Sequence, residues 1–260
     1  MKLEVLISTF GRQEYSFLEK MNLQTGAVVG NQNGTNDIIV LREDFGEVTV
    51  VCSNTKGVAR NRNITVDHSI ADICLLGDDD LTYVDNYADI VLEEFERNPL
   101  VDIIIFNLYE YPRRRFVIKK RFLVNRYNYM RFGAARIAFR RDRVLRANIK
   151  FDERFGPGGE IPIGEDTIFL KDCLDKGLRI LAVPKYILRL TEERESTWFN
   201  GYIKEYFINK GKLFKRLYPK IWILIALQDI VRHRRLYGKN KSMYQIFKTI
   251  LKGGLSFHNN

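Results

Sequence analysis

The run Ile73-Cys74-Leu75-Leu76 contains no polar residue and is followed at once by Gly77-Asp78-Asp79-Asp80. A strand apolar on both faces has to be covered on both, the condition of a strand inside a largely parallel sheet layered between helices. The first half of the chain obeys the same constraint. Short apolar runs at 3–8, 27–29, 38–41, 48–52 and 101–109 alternate with amphipathic segments, which is the pattern of βαβ units. Helical spacing is expected over 13–23, closed by Thr25-Gly26, and over 58–70, entered through Asn54-Thr55-Lys56-Gly57. Two more helices are expected, over 85–97 with Asp85 as its cap, and over 165–176 with Gly177 as a left-handed stop. A strand pair is expected around 116–118 and 136–139, and a last strand over 178–183. Beyond about Thr191 the sequence turns aromatic, basic and helical, which divides the chain into 1–190 and a 191–260 extension.

Apolar residues at 45% and charged residues at 28% exclude a disordered chain. Cys52, Cys74 and Cys173 are odd in number, widely spaced and set among apolar neighbours, so buried thiols are expected rather than a disulfide framework or zinc cluster. The sequence enters its first apolar strand directly, without the basic start and cleavage site of a secretory leader, so a cytoplasmic location is expected. The longest apolar run, 221–227, falls far short of the roughly 20 residues that cross a bilayer.

The net charge of +10 is unevenly spread. Residues 111–146 hold 13 basic and 1 acidic residue, residues 200–260 hold 13 and 2, and the remainder carries a net negative charge. Two basic surfaces on an acidic body suit a protein that meets an anionic partner at defined places.

Asp78-Asp79-Asp80 stands where open α/β sheets bind ligands, at the carboxyl end of a strand. Adjacent like charges repel unless something cationic lies between them, and hard oxygen donors suit Mg²⁺ or Mn²⁺. Glu165-Asp166 opens a helix after the glycine-rich segment 155–164. Acidic residues there offset a helix dipole, and a carboxylate on such a loop can also take a proton from a hydroxyl. Lys56-Gly57-Val58-Ala59-Arg60-Asn61-Arg62-Asn63 opens another helix, whose N–H groups and arginines suit phosphate.

In this order, Ser8-Thr9-Phe10-Gly11-Arg12, Gly57-Val58-Ala59-Arg60-Asn61, Asp78-Asp79-Asp80 and Gly164-Glu165-Asp166 resemble the family 2 glycosyltransferases of GT-A fold, over roughly 1–185. The resemblance implies a Rossmann-like α/β fold: a mixed, mainly parallel sheet flanked by helices, with a nucleotide-binding half over about 1–100 and an acceptor half over about 101–190. It implies Asp80 as ligand to Mn²⁺ or Mg²⁺, Asp78 and Asp79 as contacts to the ribose or sugar that also support the metal, and Asp166 as general base, with Glu165 beside it. Ser8, Thr9, Arg12 and Arg60 would line the nucleotide pocket. Where many relatives carry Asp-Asp-Gly-Ser after the second strand, this chain has Gly30-Asn31-Gln32-Asn33-Gly34-Thr35. The amides of Asn31 and Gln32 can still pair with a uracil edge.

The expected activity is inverting transfer of a sugar from a nucleoside-diphosphate donor, with UDP foremost. The acceptor would be a lipid-linked saccharide or oligosaccharide in surface polysaccharide synthesis, such as a capsule. Arginines of 111–146 suit a lipid diphosphate. The basic, aromatic tail suits an anionic membrane surface, with peripheral attachment at the inner face of the cell membrane and possible homo-oligomers. Within the tail, aromatics near 198–222 are expected to pack and 232–252 to face lipid or a partner. Sugar nucleotidyl transfer is the rival chemistry, though a glycine-rich phosphate loop near the N-terminus is missing. A non-catalytic module for nucleic acid or anionic lipid is the rival without chemistry; the acidic cluster argues against nucleic acid.

Overall fold

The structure, a computed structural model, describes residues 1–111, 115–190, 201–237 and 242–258. The boundary near Thr191, Trp198 and Phe199, and Arg113 and Arg114 lie outside the described residues. In chain order the elements are β1 (Leu3–Phe10), α1 (Phe17–Lys20), β2 (Ala27–Gln32), β3 (Ile38–Glu43), β4 (Gly46–Cys52), α2 (Val58–His68), β5 (Ile73–Asp78), β6 (Leu81–Tyr83) and α3 (Tyr87–Arg97). Then come β7 (Ile103–Tyr109), β8 (Phe122–Val124), β9 (Ile137–Arg140), α4 (Arg141–Arg146), α5 (Glu165–Asp175) and β10 (Ile180–Leu190). The chain closes with α6 (Lys204–Leu217), α7 (Trp222–Tyr237) and α8 (Met243–Leu255).

The strands form one ten-stranded sheet in the order β3-β4-β2-β1-β5-β9-β7-β10-β6, with β8 pairing the first part of β10. β4, β2, β1 and β5 run parallel, as do β7 and β10. Both faces are covered. Cys74 and Leu76 pack into the layer that holds Ala59 and Val66 of α2 and Ile168 and Phe169 of α5. Ile73 and Leu75 pack oppositely, with Phe17 and Leu18 of α1 and Val91 and Phe95 of α3. This is the two-sided burial that an apolar run such as 73–76 demands. All three cysteines are buried and free.

Several expectations need correction. The segment 13–23 supplies only the four-residue α1, because 12–15 is drawn towards the sheet end by contacts of Arg12 and Tyr15 with Asn31. Asp85 does not cap α3; it accepts a hydrogen bond from Asn22, and Asn86 in the left-handed region precedes the helix. The expected pair of 116–118 with 136–139 does not form. Ile137, Ala138 and Phe139 are fully buried, and β9 lies antiparallel between β5 and β7, where both faces are covered. Ile118 is instead held by Asn107, whose side-chain amide bonds both backbone groups of Ile118.

The three C-terminal helices share a cluster of Phe207, Phe214, Trp222, Ala226, Ile230, Tyr237, Ile246 and Ile250. They are also attached to the sheet body. Leu213, Leu217 and Phe257 belong to the α2–α5 layer, and Arg216 pairs with Asp152 and Asp172, each at 2.8 Å.

α6 and α8 cross so closely at Gly211 that an added Cβ would stand 2.0 Å from the Ile250 carbonyl oxygen. A backbone atom cannot swing aside as a side-chain tip can, so Gly211→Ala forces the helices apart. Such overpacking costs about 1–3 kcal/mol and outweighs the helix-propensity gain of at most about 1 kcal/mol. Urea unfolding of this variant should give a lower midpoint at unchanged slope.

Candidate active site

The site forms where β1, β2 and β5 end at one edge of the sheet. Ser8 stands in register with both Gly30 and Asp78, so the tips of these strands are adjacent. Beyond β1 the chain turns at Gly11, and the turn is held by Asn31, which accepts from the Arg12 N–H at 3.2 Å and donates to the Arg12 carbonyl at 2.8 Å. This brings the Arg12 guanidinium to Asp79 at 2.7 Å, and the Thr9 hydroxyl donates to the same carboxylate oxygen at 2.7 Å. Asn31 is fully buried and its amide is engaged with Arg12 and Tyr15. Gln32 donates to the Gly57 carbonyl at 3.1 Å. Both amides therefore frame the loops around the cleft.

α2 reaches the same edge from below. Its start is not open to phosphate: the Val58 N–H donates to the Pro157 carbonyl at 2.9 Å, and the glycine-rich loop lies against Gly57. Asn61 donates to the carbonyls of Thr9 and Gly30, locking α2 onto the strand ends. Two residues apart, the arginines diverge. Arg60 points away, half-exposed, and pairs with Glu153 at 2.6 Å, so it is not brought into the group. Arg62 is 4% exposed and pairs with Glu165 at 2.9 Å and Asp78 at 3.3 Å. It thereby joins two acidic segments that lie some 85 residues apart in sequence.

Asp166 is half-buried and lies beside Gly133. It accepts from the Thr167 N–H at 2.6 Å, and an added Cβ on Gly133 would lie 3.3 Å from its Oδ2. Burial raises the pKa of both carboxyls. For Glu165 burial is reinforced by Asp166 and opposed by Arg62, leaving it at about 7. For Asp166 burial is opposed by Arg62 and by Thr167, and the net direction is upward. Burial would lower the Arg62 pKa, but Asp78, Glu165 and Asp166 outweigh it and the guanidinium stays charged.

Around this cleft several buried polar atoms lack a protein partner: Ser8 Oγ, Asn61 Oδ1 and Arg62 Nε. Buried groups with unspent hydrogen-bonding capacity concentrate where a ligand completes the set. Among the described residues no group of three or more His, Cys, Asp or Glu side chains converges as a ready cation cage. A cation carried with phosphate needs less, since Mg²⁺ is typically held by one or two carboxylates plus substrate oxygens. Asp80, half-buried in the turn directly after Asp78 and Asp79, fits that role. The role of Arg62 is visible in the sequence only as one of two arginines on α2; nothing there separates it from Arg60.

No protein-family model matches the chain, and no curated protein matches it. Solved structures do. Residues 1–349 of TarS from S. aureus in complex with UDP-GlcNAc match with a TM-score of 0.63 at 15% identity, covering 99% of this chain and 73% of that one. The same piece in complex with UDP gives a TM-score of 0.61 at 15% identity over 92% and 74% of the two chains. A further structure of TarS gives 0.55 at 15% identity, covering all of this chain and 44% of that one. The architecture is thus the GT-A arrangement expected from the sequence, a mainly parallel sheet flanked by helices.

The raised Glu165 carboxyl links stability to pH. Its ordinary value is 4.5 and its folded value about 7. Between these the folded chain binds more protons than the unfolded one, so its contribution is fully present below about pH 4.5 and lost as pH rises through about 7. Urea unfolding at pH 5 and pH 8 should show the wild type losing stability over this interval, and Glu165→Gln losing measurably less.

Proposed function

We propose that this chain is an inverting glycosyltransferase that moves a sugar from a UDP-sugar to a hydroxyl of a lipid-linked or oligosaccharide acceptor, in surface polysaccharide synthesis. The observation that carries this reading is the Arg62 bridge. It holds the carboxylates at the end of β5 beside the Glu165-Asp166 pair at the start of α5, across one cleft. Support for the donor class comes from the TarS structures, which contain UDP-GlcNAc and UDP on the same architecture.

In this reading Ser8, Thr9 and Arg12 line the nucleotide side of the cleft, framed by Asn31 and Gln32, and Arg62 takes the inward place expected for Arg60. Asp78 and Asp79 contact the ribose or sugar. Asp166 accepts the acceptor's hydroxyl proton as the oxygen bonds to the anomeric carbon. The bond from that carbon to the diphosphate oxygen breaks on the opposite face, and UDP leaves with the electron pair. A single displacement inverts the centre. Glu165, paired with Arg62, fixes the start of α5 and so aims its neighbour Asp166. Mn²⁺ or Mg²⁺ would be held by Asp80, with Asp78 near it and donor phosphate oxygens completing the shell, and would neutralise charge on the departing diphosphate.

Asp166→Asn should lower transfer by about 10²- to 10⁴-fold, the usual worth of a general base, while the thermal shift given by UDP is retained. Strong residual turnover would remove Asp166 from the base role. Asp80→Ala should abolish the extra UDP shift that Mn²⁺ gives to the wild type; an undiminished Mn²⁺ effect would remove Asp80 as ligand. Release of pyrophosphate instead of UDP would indicate nucleotidyl transfer.

A further inference from the structure

α7 is buried on one side only. Trp222, Ala226, Ile230 and Tyr237 face the helical cluster, at helical spacing. The other side is apolar as well: Ile223 is 42% exposed, Leu224 63%, Leu227 43% and Val231 68%. These four follow at i, i+1, i+4 and i+8 and form one continuous outward stripe. A soluble surface helix ordinarily carries charge there, so the stripe calls for an occupant.

The charges around it select that occupant. Lys220 stands exposed just before the helix, Arg232 stands exposed at the end of its regular part, and Arg234 and Arg235 stand exposed beyond the kink at His233. The single acid of α7, Asp229, is turned inward, where its carboxylate meets Lys210 at 2.7 Å and the Tyr237 hydroxyl at 3.0 Å. Among the described residues of α7 the outward face is therefore apolar, with cations at both ends and no anion. A second copy of this chain placed on that face would set arginine against arginine. An anionic bilayer matches both features, apolar stripe to acyl chains and arginines to headgroups.

We propose that α7 is an in-plane membrane-binding helix that seats the protein on an anionic lipid surface through Ile223, Leu224, Leu227 and Val231. No helix among the described residues is long and apolar enough to cross a membrane. With its other face held by the α6 and α8 cluster, α7 meets a bilayer lying flat. The stripe lies earlier than the 232–252 stretch expected from the sequence, because α8 turns Ile246 and Ile250 inward and is locked by Gly253 and Gly254 against α6 and Trp222.

The test is flotation of the full chain with vesicles of phosphatidylcholine alone or mixed equally with phosphatidylglycerol. Wild type should float with the mixed vesicles, and the bound fraction should fall with salt. Leu224→Ser/Leu227→Ser/Val231→Ser and, separately, Arg232→Gln/Arg234→Gln/Arg235→Gln should each lower the partition coefficient by about tenfold or more. These exposed sites leave the fold intact, which an unchanged melting temperature and UDP shift would verify independently of whether transfer occurs. The proposal is overturned if wild type stays unbound, if it floats equally with neutral vesicles, or if the serine variant floats like wild type. It is likewise overturned if sedimentation shows a dimer that the serine variant abolishes, which would assign the stripe to a second copy.

Discussion

A buried guanidinium holds the two acidic segments of the candidate site in one place. Arg62 is nearly enclosed, and a cation in such a position is tolerable only when paired. Its partners come from the two acidic segments, Asp78 at the tip of β5 and Glu165 at the start of α5. Burial raises the pKa of both Glu165 and Asp166, Asp166 raises that of Glu165 further, and the guanidinium opposes the rise at both. The same ion network makes α2 a bridge between sheet and helix. Asn61 ties α2 to the ends of β1 and β2, and Asn63 ties it to the backbone of Phe151 before the glycine-rich loop. Removing the arginine would leave the buried Glu165 without its cation and Asp78 without its tie to α2, so the geometry of the cleft and the stability of the fold rest on the same contacts.

The fold was legible wherever an element's burial is written into its own residues. The apolar strand 73–76 announced a covered parallel sheet, and the acidic cluster behind it pointed to the edge that carries the candidate site, because strand polarity alone decides which end that is. What stayed hidden depended on partners distant in sequence. Residues 136–139 read as half of a local hairpin, yet Ile137 to Phe139 are apolar on both faces and could be satisfied only between two other strands. The choice between Arg60 and Arg62 was equally invisible, since both sit on a polar helix and only the neighbouring β5 and α5 decide which one is enclosed. Asn31 looked like a base-reading amide, but a fully buried amide must find partners nearby, and it found the turn that carries Arg12.

The three aspartates illustrate how a sound physical premise can have more than one solution. Their mutual repulsion requires positive charge, and a divalent ion is one source of it. The protein itself supplies another, placing Arg12 on Asp79 and Arg62 on Asp78. Two guanidiniums offset part of the negative charge at this strand end, which is compatible with the diphosphate donor proposed above.

The C-terminal helices belong to the same mechanical unit as the edge that carries the candidate site. Gly164 precedes α5 in the left-handed region, and an added Cβ there would lie 2.6 Å from Leu213 of α6. Arg216, three residues further along α6, clamps Asp172 of α5, and the Tyr129 hydroxyl donates to that of Tyr218. Because α6 is bound both to α5 and to the cluster that orients α7, the outward stripe of α7 and the carboxylate of Asp166 are set by one continuous packing.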